Sequence, residues 1–231
     1  MAHRLIPTSC LLILSATSAL SMDIPYGIEA VTQYRSEYNF RAFDLANETI
    51  GFQLGANYAL DNSTTLTTTL WQDSETGDGD FAEAGALVSL AKDIGETTFS
   101  LSGIYRSYSN SFLESGTNIE AAVHHNLTDN LSSSATLAYD TGADGLYAEL
   151  SLQHYHRIND KSFLSVTGGI SYVEDYYQLS GLNDTFVKVG YTYNINQSVS
   201  IAPYIATSVL LDNTENRRHS LHAGAYFAVS F

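Results

Sequence analysis

The sequence predicts an all-β chain, a closed antiparallel up-and-down transmembrane β-barrel of about twelve strands. Three observations predict it. The last thirteen residues, His219 to Phe231, alternate without a break. Leu221, Ala223, Ala225, Phe227, Val229 and Phe231 share one face, and His222, Gly224, Tyr226, Ala228 and Ser230 share the other. Side chains on a strand alternate with a period of two, so this is one long strand with an apolar and a polar side. The same pattern recurs about twelve times, and the connections between repeats alternate short and long, as at the two rims of a membrane barrel.

Taken in order, Met1 to Arg4 form a short basic start, Leu5 to Leu14 an apolar run, and Ser15 to Ser21 a stretch of small residues. This is the layout of a removable secretory signal over residues 1–21, leaving a barrel domain over 22–231. The apolar run is too short to span a bilayer. Cys10, the one cysteine, lies inside that run and does not follow a small-residue lipidation box. Past the signal no disulfide can form, and no stretch approaches the length of an apolar transmembrane helix. Closed barrels are the other structure that satisfies every backbone amide in hydrocarbon.

In the first strand Ile28, Ala30, Thr32, Tyr34, Ser36, Tyr38 and Phe40 alternate with Glu29, Val31, Gln33, Arg35, Glu37, Asn39 and Arg41. The first set suits lipid and the second water. The second strand sets Ile50, Phe52, Leu54, Ala56, Tyr58 and Leu60 against Gly51, Gln53, Gly55, Asn57 and Ala59. Further strands are expected at 64–72, 81–91, 97–108, 117–127, 131–140, 145–156, 161–173, 184–195, 198–209 and 219–231. Short turns at Asp61-Asn62-Ser63, Lys92 to Glu96, Thr128-Asp129-Asn130, Ile158-Asn159-Asp160 and Asn196-Gln197 use residues that favour tight reversals. They recur every roughly thirty to thirty-seven residues, which makes the hairpin the repeating unit. Longer loops are expected at Phe43 to Thr49, Asp73 to Asp80, Ser109 to Gly116, Thr141 to Asp144, Glu174 to Asn183 and Leu210 to Arg218.

The chain has 16 tyrosines. Tyr38, Phe40, Trp71, Phe81, Tyr105, Tyr108, Tyr139, Tyr147 and Tyr172 gather toward the long loops, and Tyr58, Tyr191 and Tyr193 toward the short turns, as two interfacial belts would. Ordinary core tyrosines of a soluble β-sandwich are the competing explanation. The formal charge of -15 becomes -16 once Arg4 is removed with the signal, which excludes nucleic acid as a partner. Asp73, Glu75, Asp78, Asp80, Glu114, Asp144, Glu174, Asp175, Asp184, Asp212 and Glu215 are expected in the long loops, against Arg217 and Arg218. Such a mouth is either simply solvated or a funnel favouring cations.

Charged residues on the non-apolar parity should face the lumen, because they are expensive on a lipid face. Arg35, Glu37, Arg41, Glu83, Arg106, Glu120, Glu149, Lys188 and His222 are the candidates for a solute-selecting constriction. A salt-bridge network filling the lumen is the alternative role. No catalytic residue is assigned: His124 and His222 share inward parity with Ser132, Ser134 and Ser230, but so many inward hydroxyls make such pairs expected. Asp78-Gly79-Asp80 lacks the spacing of a calcium loop, so neither metal nor cofactor is assigned.

Tyr38-Asn39-Phe40-Arg41-Ala42-Phe43, followed by a loop and Gly51 to Tyr58, resembles the opening hairpin of the TorF-type porin family, with Ala42 in place of a glycine. The resemblance implies a small outer-membrane barrel with a transport role and carries over no binding residue. The expected function is passive passage of small hydrophilic solutes, with the bacterial outer membrane, its lipid and its lipopolysaccharide as surroundings. Phe231 would be the handle for the barrel-assembly machinery. A closed barrel with acidic adhesion loops and a lipid-modifying enzyme are the competing readings.

Overall fold

A computed structural model describes residues 26–212 and 217–231; the expected signal over 1–21 lies outside them. In chain order the strands are β1 (Tyr26–Arg35), β2 (Tyr38–Phe40), β3 (Phe43–Ala46), β4 (Thr49–Asp61), β5 (Thr64–Glu75), β6 (Ala82–Ile94) and β7 (Thr97–Ser109). There follow β8 (Gly116–Thr128), β9 (Leu131–Asp140), β10 (Gly145–Asn159), β11 (Ser162–Tyr176), β12 (Leu179–Asn194), β13 (Val199–Leu210) and β14 (Ser220–Ser230). Twelve of them, β1 and β4 to β14, form a closed antiparallel barrel, and β2 pairs with β3 as a separate hairpin.

Closure joins the first and last strands, with Glu29 opposite Ser230 and Arg35 opposite Gly224. The Phe231 amide adds a bond to the Ile28 carbonyl at 2.9 Å. Every barrel strand therefore has two neighbours and no edge is left unpaired. The dyad pattern has its expected outcome along the wall: Phe52, Leu70, Leu101, Leu150 and Phe227 point outward and are exposed, while Gln33, Gln53, Thr69, Ser102 and Ser200 are buried inside.

The first strand differs from expectation. Pairing with both neighbours stops at Arg35, and Ser36 closes the ladder by donating to the Ala223 carbonyl at 2.8 Å. Residues 36–48 then lack a place in the wall. They fold inward as the β2–β3 hairpin, whose two-residue turn is Arg41-Ala42 at φ 50° and 65°. Both central residues of such a turn need positive φ, a conformation glycine adopts freely and alanine does not. The glycine-for-alanine difference at position 42 noted above thus falls at the hairpin tip.

Phe43 anchors the hairpin in a buried cluster with Leu113, Ala143, Tyr147, Val173 and Tyr176. Tyr38 packs with Ala46 and Phe81 in a second. Two of the expected loops are also shorter. β5 continues to Glu75, and β11 and β12 extend to a tight turn at Tyr177-Gln178, with register shifts near Ile170 and Val173. Asp73, Glu75, Glu174, Asp175 and Asp184 are consequently strand and not loop residues, and Asp73 and Asp184 are buried inside the barrel.

Candidate functional site

Beneath the hairpin lies a cavity of about 220 Å³, and all nine candidate residues, Arg35, Glu37, Arg41, Glu83, Arg106, Glu120, Glu149, Lys188 and His222, line it. Their distribution follows from topology. In the ring order of strands, β1, β14 and β12 carry Arg35, His222 and Lys188, and β6, β8 and β10 carry Glu83, Glu120 and Glu149. Those two sets stand on opposite sides of the barrel. One wall is mainly basic and the facing wall mainly acidic, with Asp184 on β12 and Arg106 on β7 as the opposite charge within each.

The acidic wall is compensated. Arg106 Nε lies 3.5 Å from Glu83 Oε1. The Trp71 indole N–H donates to the same oxygen at 2.7 Å, and the Tyr38 hydroxyl donates to the other. Arg41, at the hairpin tip, reaches the acidic wall: its Nη1 donates to Asn118 Oδ1 at 3.2 Å and to the Tyr176 hydroxyl at 2.9 Å. The same guanidinium is 3.4 Å from Asp140 and 3.8 Å from Glu120. Asn183 Nδ2 and Arg217 Nε donate to the carbonyls of Arg41 and Ala42 at 3.2 and 3.4 Å. Arg218 pairs with Asp44 at 2.5 Å. These contacts fasten the hairpin across the lumen.

The basic wall is built differently. Arg35 Nη2 lies 3.3 Å from Asp73 Oδ1, while its guanidinium stacks 4.1 Å over the Tyr38 ring. Lys188 Nζ lies 4.3 Å above the Tyr204 ring and 3.4 Å from the Tyr226 hydroxyl. Tyr204 and Tyr226 stack with centroids 5.1 Å apart and planes at 17°. Tyr204 stands opposite Gly224 in the ladder, and a Cβ on that glycine would meet the tyrosine hydroxyl at 2.6 Å. Trp71 likewise lies against Gly85, where a Cβ would meet its ring at 2.0 Å. Each glycine lets its cross-strand aromatic lie flat on the wall.

Outside the spanning strands, burial, then the like charge of Asp44, raises Glu37 above its ordinary 4.5, with Arg218 opposing. Burial also pushes the Tyr177 hydroxyl up to about 12.

Several site residues escape the sequence reading. Trp71 and Tyr147 sit at belt depth but on inward parity, so they line the cavity, and Tyr38 turns inward with the hairpin. Parity would have found Trp71 and Tyr147. Tyr105, Tyr139 and Tyr172 do face outward near the long loops, as do Tyr58, Tyr191 and Tyr193 near the short turns. Asp184 faces the cavity and is held by Ser171, Ser208 and Asn183. His124 is not among the lining residues. Its Nδ1 is 2.9 Å from Ser134 Oγ, and its Nε2 is 3.3 Å from the amide oxygen of Asn126, which holds a developing imidazolium less well than a carboxylate would.

No protein-family model matches the chain, and no curated protein matches it. The TorF-type resemblance therefore rests on the opening residues, the length and the terminal Phe231. Solved structures do match. The KdgM porin superposes with a TM-score of 0.59 at 10% identity, over 89% of this chain and 99% of that one. An outer-membrane channel from Pseudomonas putida F1 gives 0.63 at 9% identity, over 91% and 97%. The NanC porin gives 0.54 at 14%, over 88% and 98%. At these identities the likeness is one of fold: this chain is a closed twelve-strand antiparallel barrel of the kind these outer-membrane channels have.

Proposed function

We propose that the chain is a porin-like channel of a bacterial outer membrane, passing small hydrophilic solutes through the gap between the β2–β3 hairpin and the barrel wall. The observation that carries this is the transverse separation of charge, Arg35 and Lys188 facing Glu83, Glu120 and Glu149 across one cavity. Opposed rings of fixed charge orient and filter polar solutes at a constriction. The outward apolar faces suit lipid, with lipopolysaccharide at the long-loop rim. The strand ending in Phe231 is the segment for the assembly machinery to grip. The fold likeness to outer-membrane channels supports the same reading. The acidic outer loops favour cations at the mouth.

Planar-bilayer recording of the refolded protein under a salt gradient tests this. Discrete conductance steps with a reversal potential on the cation side are expected. A heat-modifiable, folded barrel that carries neither current nor solute removes the channel. The fastening of Arg41, Ala42 and Asp44 favours one other reading, a closed barrel whose acidic loops act as a surface element. That reading requires deletion of residues 37–47 to create a conductance absent from the intact chain.

A further inference from the structure

We propose that the basic wall is a binding site for a small organic carboxylate with a flat apolar face. The inference rests on the reading of this cavity as a solute passage, and three independent features of the wall carry it.

The first is charge. Arg35 on the seam strand β1 and Lys188 on β12 supply the positive charge, and His222 on the seam strand β14 stands with Lys188 at the Tyr204 ring. The second is unmet hydrogen bonding. Arg35 is 5% exposed, yet among the described residues its Nη1 has no partner, and neither has His222 Nδ1. Asp73 occupies only the Nη2 side of the guanidinium. A buried guanidinium that bonds a carboxylate on one edge can take a second on the other, since its donors form a planar fork. The third feature is aromatic: Tyr204 and Tyr226 both line the cavity, stack on each other at 5.1 Å, and carry the Lys188 ammonium 4.3 and 5.1 Å from their ring centroids. A planar ligand packs against the cavity-side edges of this pair with its carboxylate toward Lys188 and Arg35.

Size and competing charge agree with this occupant. An aromatic ring fits an apolar cavity of about 150 Å³, so a cavity of about 220 Å³ admits a ring and its carboxylate. Of the carboxylates opposite, Glu83 is engaged by Arg106, Tyr38 and Trp71, Glu120 by Arg41, and Glu149 accepts from the Tyr147 hydroxyl. Asp184, above Lys188 on β12, is held by serine hydroxyls, and Glu37 on the hairpin faces Asp44 and Arg218. A cationic ring of the same shape would meet Lys188 and Arg35 directly and be rejected.

The test is equilibrium binding of benzoate to the refolded full chain in detergent, by titration calorimetry or saturation-transfer NMR, beside benzylamine and acetate. Benzoate is expected to bind about tenfold more tightly than either, the ring and the charge each contributing roughly one decade. Lys188→Met and Tyr204→Leu should each weaken benzoate by about tenfold, in variants whose heat-modifiable migration shows a folded barrel. Equal binding of benzoate and benzylamine, no benzoate binding, or binding unchanged in both variants overturns the proposal. Binding without bilayer conductance keeps this site and sinks the channel, whereas conductance without binding sinks this site alone.

Discussion

Replacing Arg41 by alanine should unfasten the hairpin while leaving the barrel intact. The side chain is 7% exposed, donates to Asn118, Asp140 and Tyr176, and lies 3.8 Å from Glu120. Alanine removes the cation that both Asp140 and Glu120 approach and leaves two buried carboxylates without it. Breaking a buried ion pair from one side costs about 3–5 kcal/mol. Water entering beside the lumen wall recovers part of this, so about 3 kcal/mol is the working figure, or roughly a hundredfold in the docked-to-undocked ratio. Phe43 and Tyr38 still hold the hairpin apolarly, so the ratio shifts without necessarily inverting. Hydrogen exchange reads such local opening directly. Amides of β2 and β3 should lose about a hundredfold in protection while those of β4 to β14 stay unchanged. In bilayers the variant should show longer or larger open events. Protection of the hairpin within about threefold of the parent would refute the reasoning, because Arg41 would then contribute no more than an exposed ion pair.

Further outcomes test the other parts of the site. Ala42→Gly relieves a positive φ of 65° and should raise hairpin protection by about two- to fivefold, the equivalent of roughly 0.5–1 kcal/mol, in the same exchange measurement. Lys188→Glu places a negative charge on the basic wall. The reversal changes the local charge by two units, which for an ion passing about 8 Å away favours cations by roughly 1–4 kcal/mol between aqueous and protein-like screening, read as a shift of reversal potential toward the cation limit. Gly85→Ala drives a methyl into Trp71, the only tryptophan of the chain, and should cost about 1–3 kcal/mol while shifting its fluorescence as the bond to Glu83 is lost. Glu37 has its folded pKa raised, so the docked hairpin prefers the protonated carboxyl. No penalty exists below the ordinary value of 4.5, and it grows as pH rises through the raised one. Hairpin docking should therefore strengthen on acidification in that window, and conductance should fall there. Glu37→Gln should abolish the dependence, and a variant that keeps it would point to another group.

How much of this site the sequence discloses depends on which property is asked for. Parity is local, so the inward or outward aim of Arg35, Glu83, Arg106, Glu120, Glu149, Lys188 and His222 is legible from period two alone. Which of them oppose each other is legible as well, once connections are up-and-down, because ring order then equals chain order and β1 and β12 to β14 must face β6 to β10. The hairpin is not legible in the same way. Tyr38 to Phe40 continue the alternation of β1, and a strand that folds back keeps the same period as one that runs on. The usual sign of a two-residue turn is Asn-Gly or Asp-Gly, whereas here Arg41-Ala42 occupies it, at a conformational cost met by the contacts of Arg41. A strained turn held by a buried cation is a different construction from a relaxed loop. A glycine would have formed the bend by itself, and Ala42 makes the bend depend on the acidic wall that Arg41 binds. The position and closure of the hairpin are thereby tied to the same carboxylates that polarise the cavity, so perturbing either Arg41 or its partners must move both gating and selectivity together.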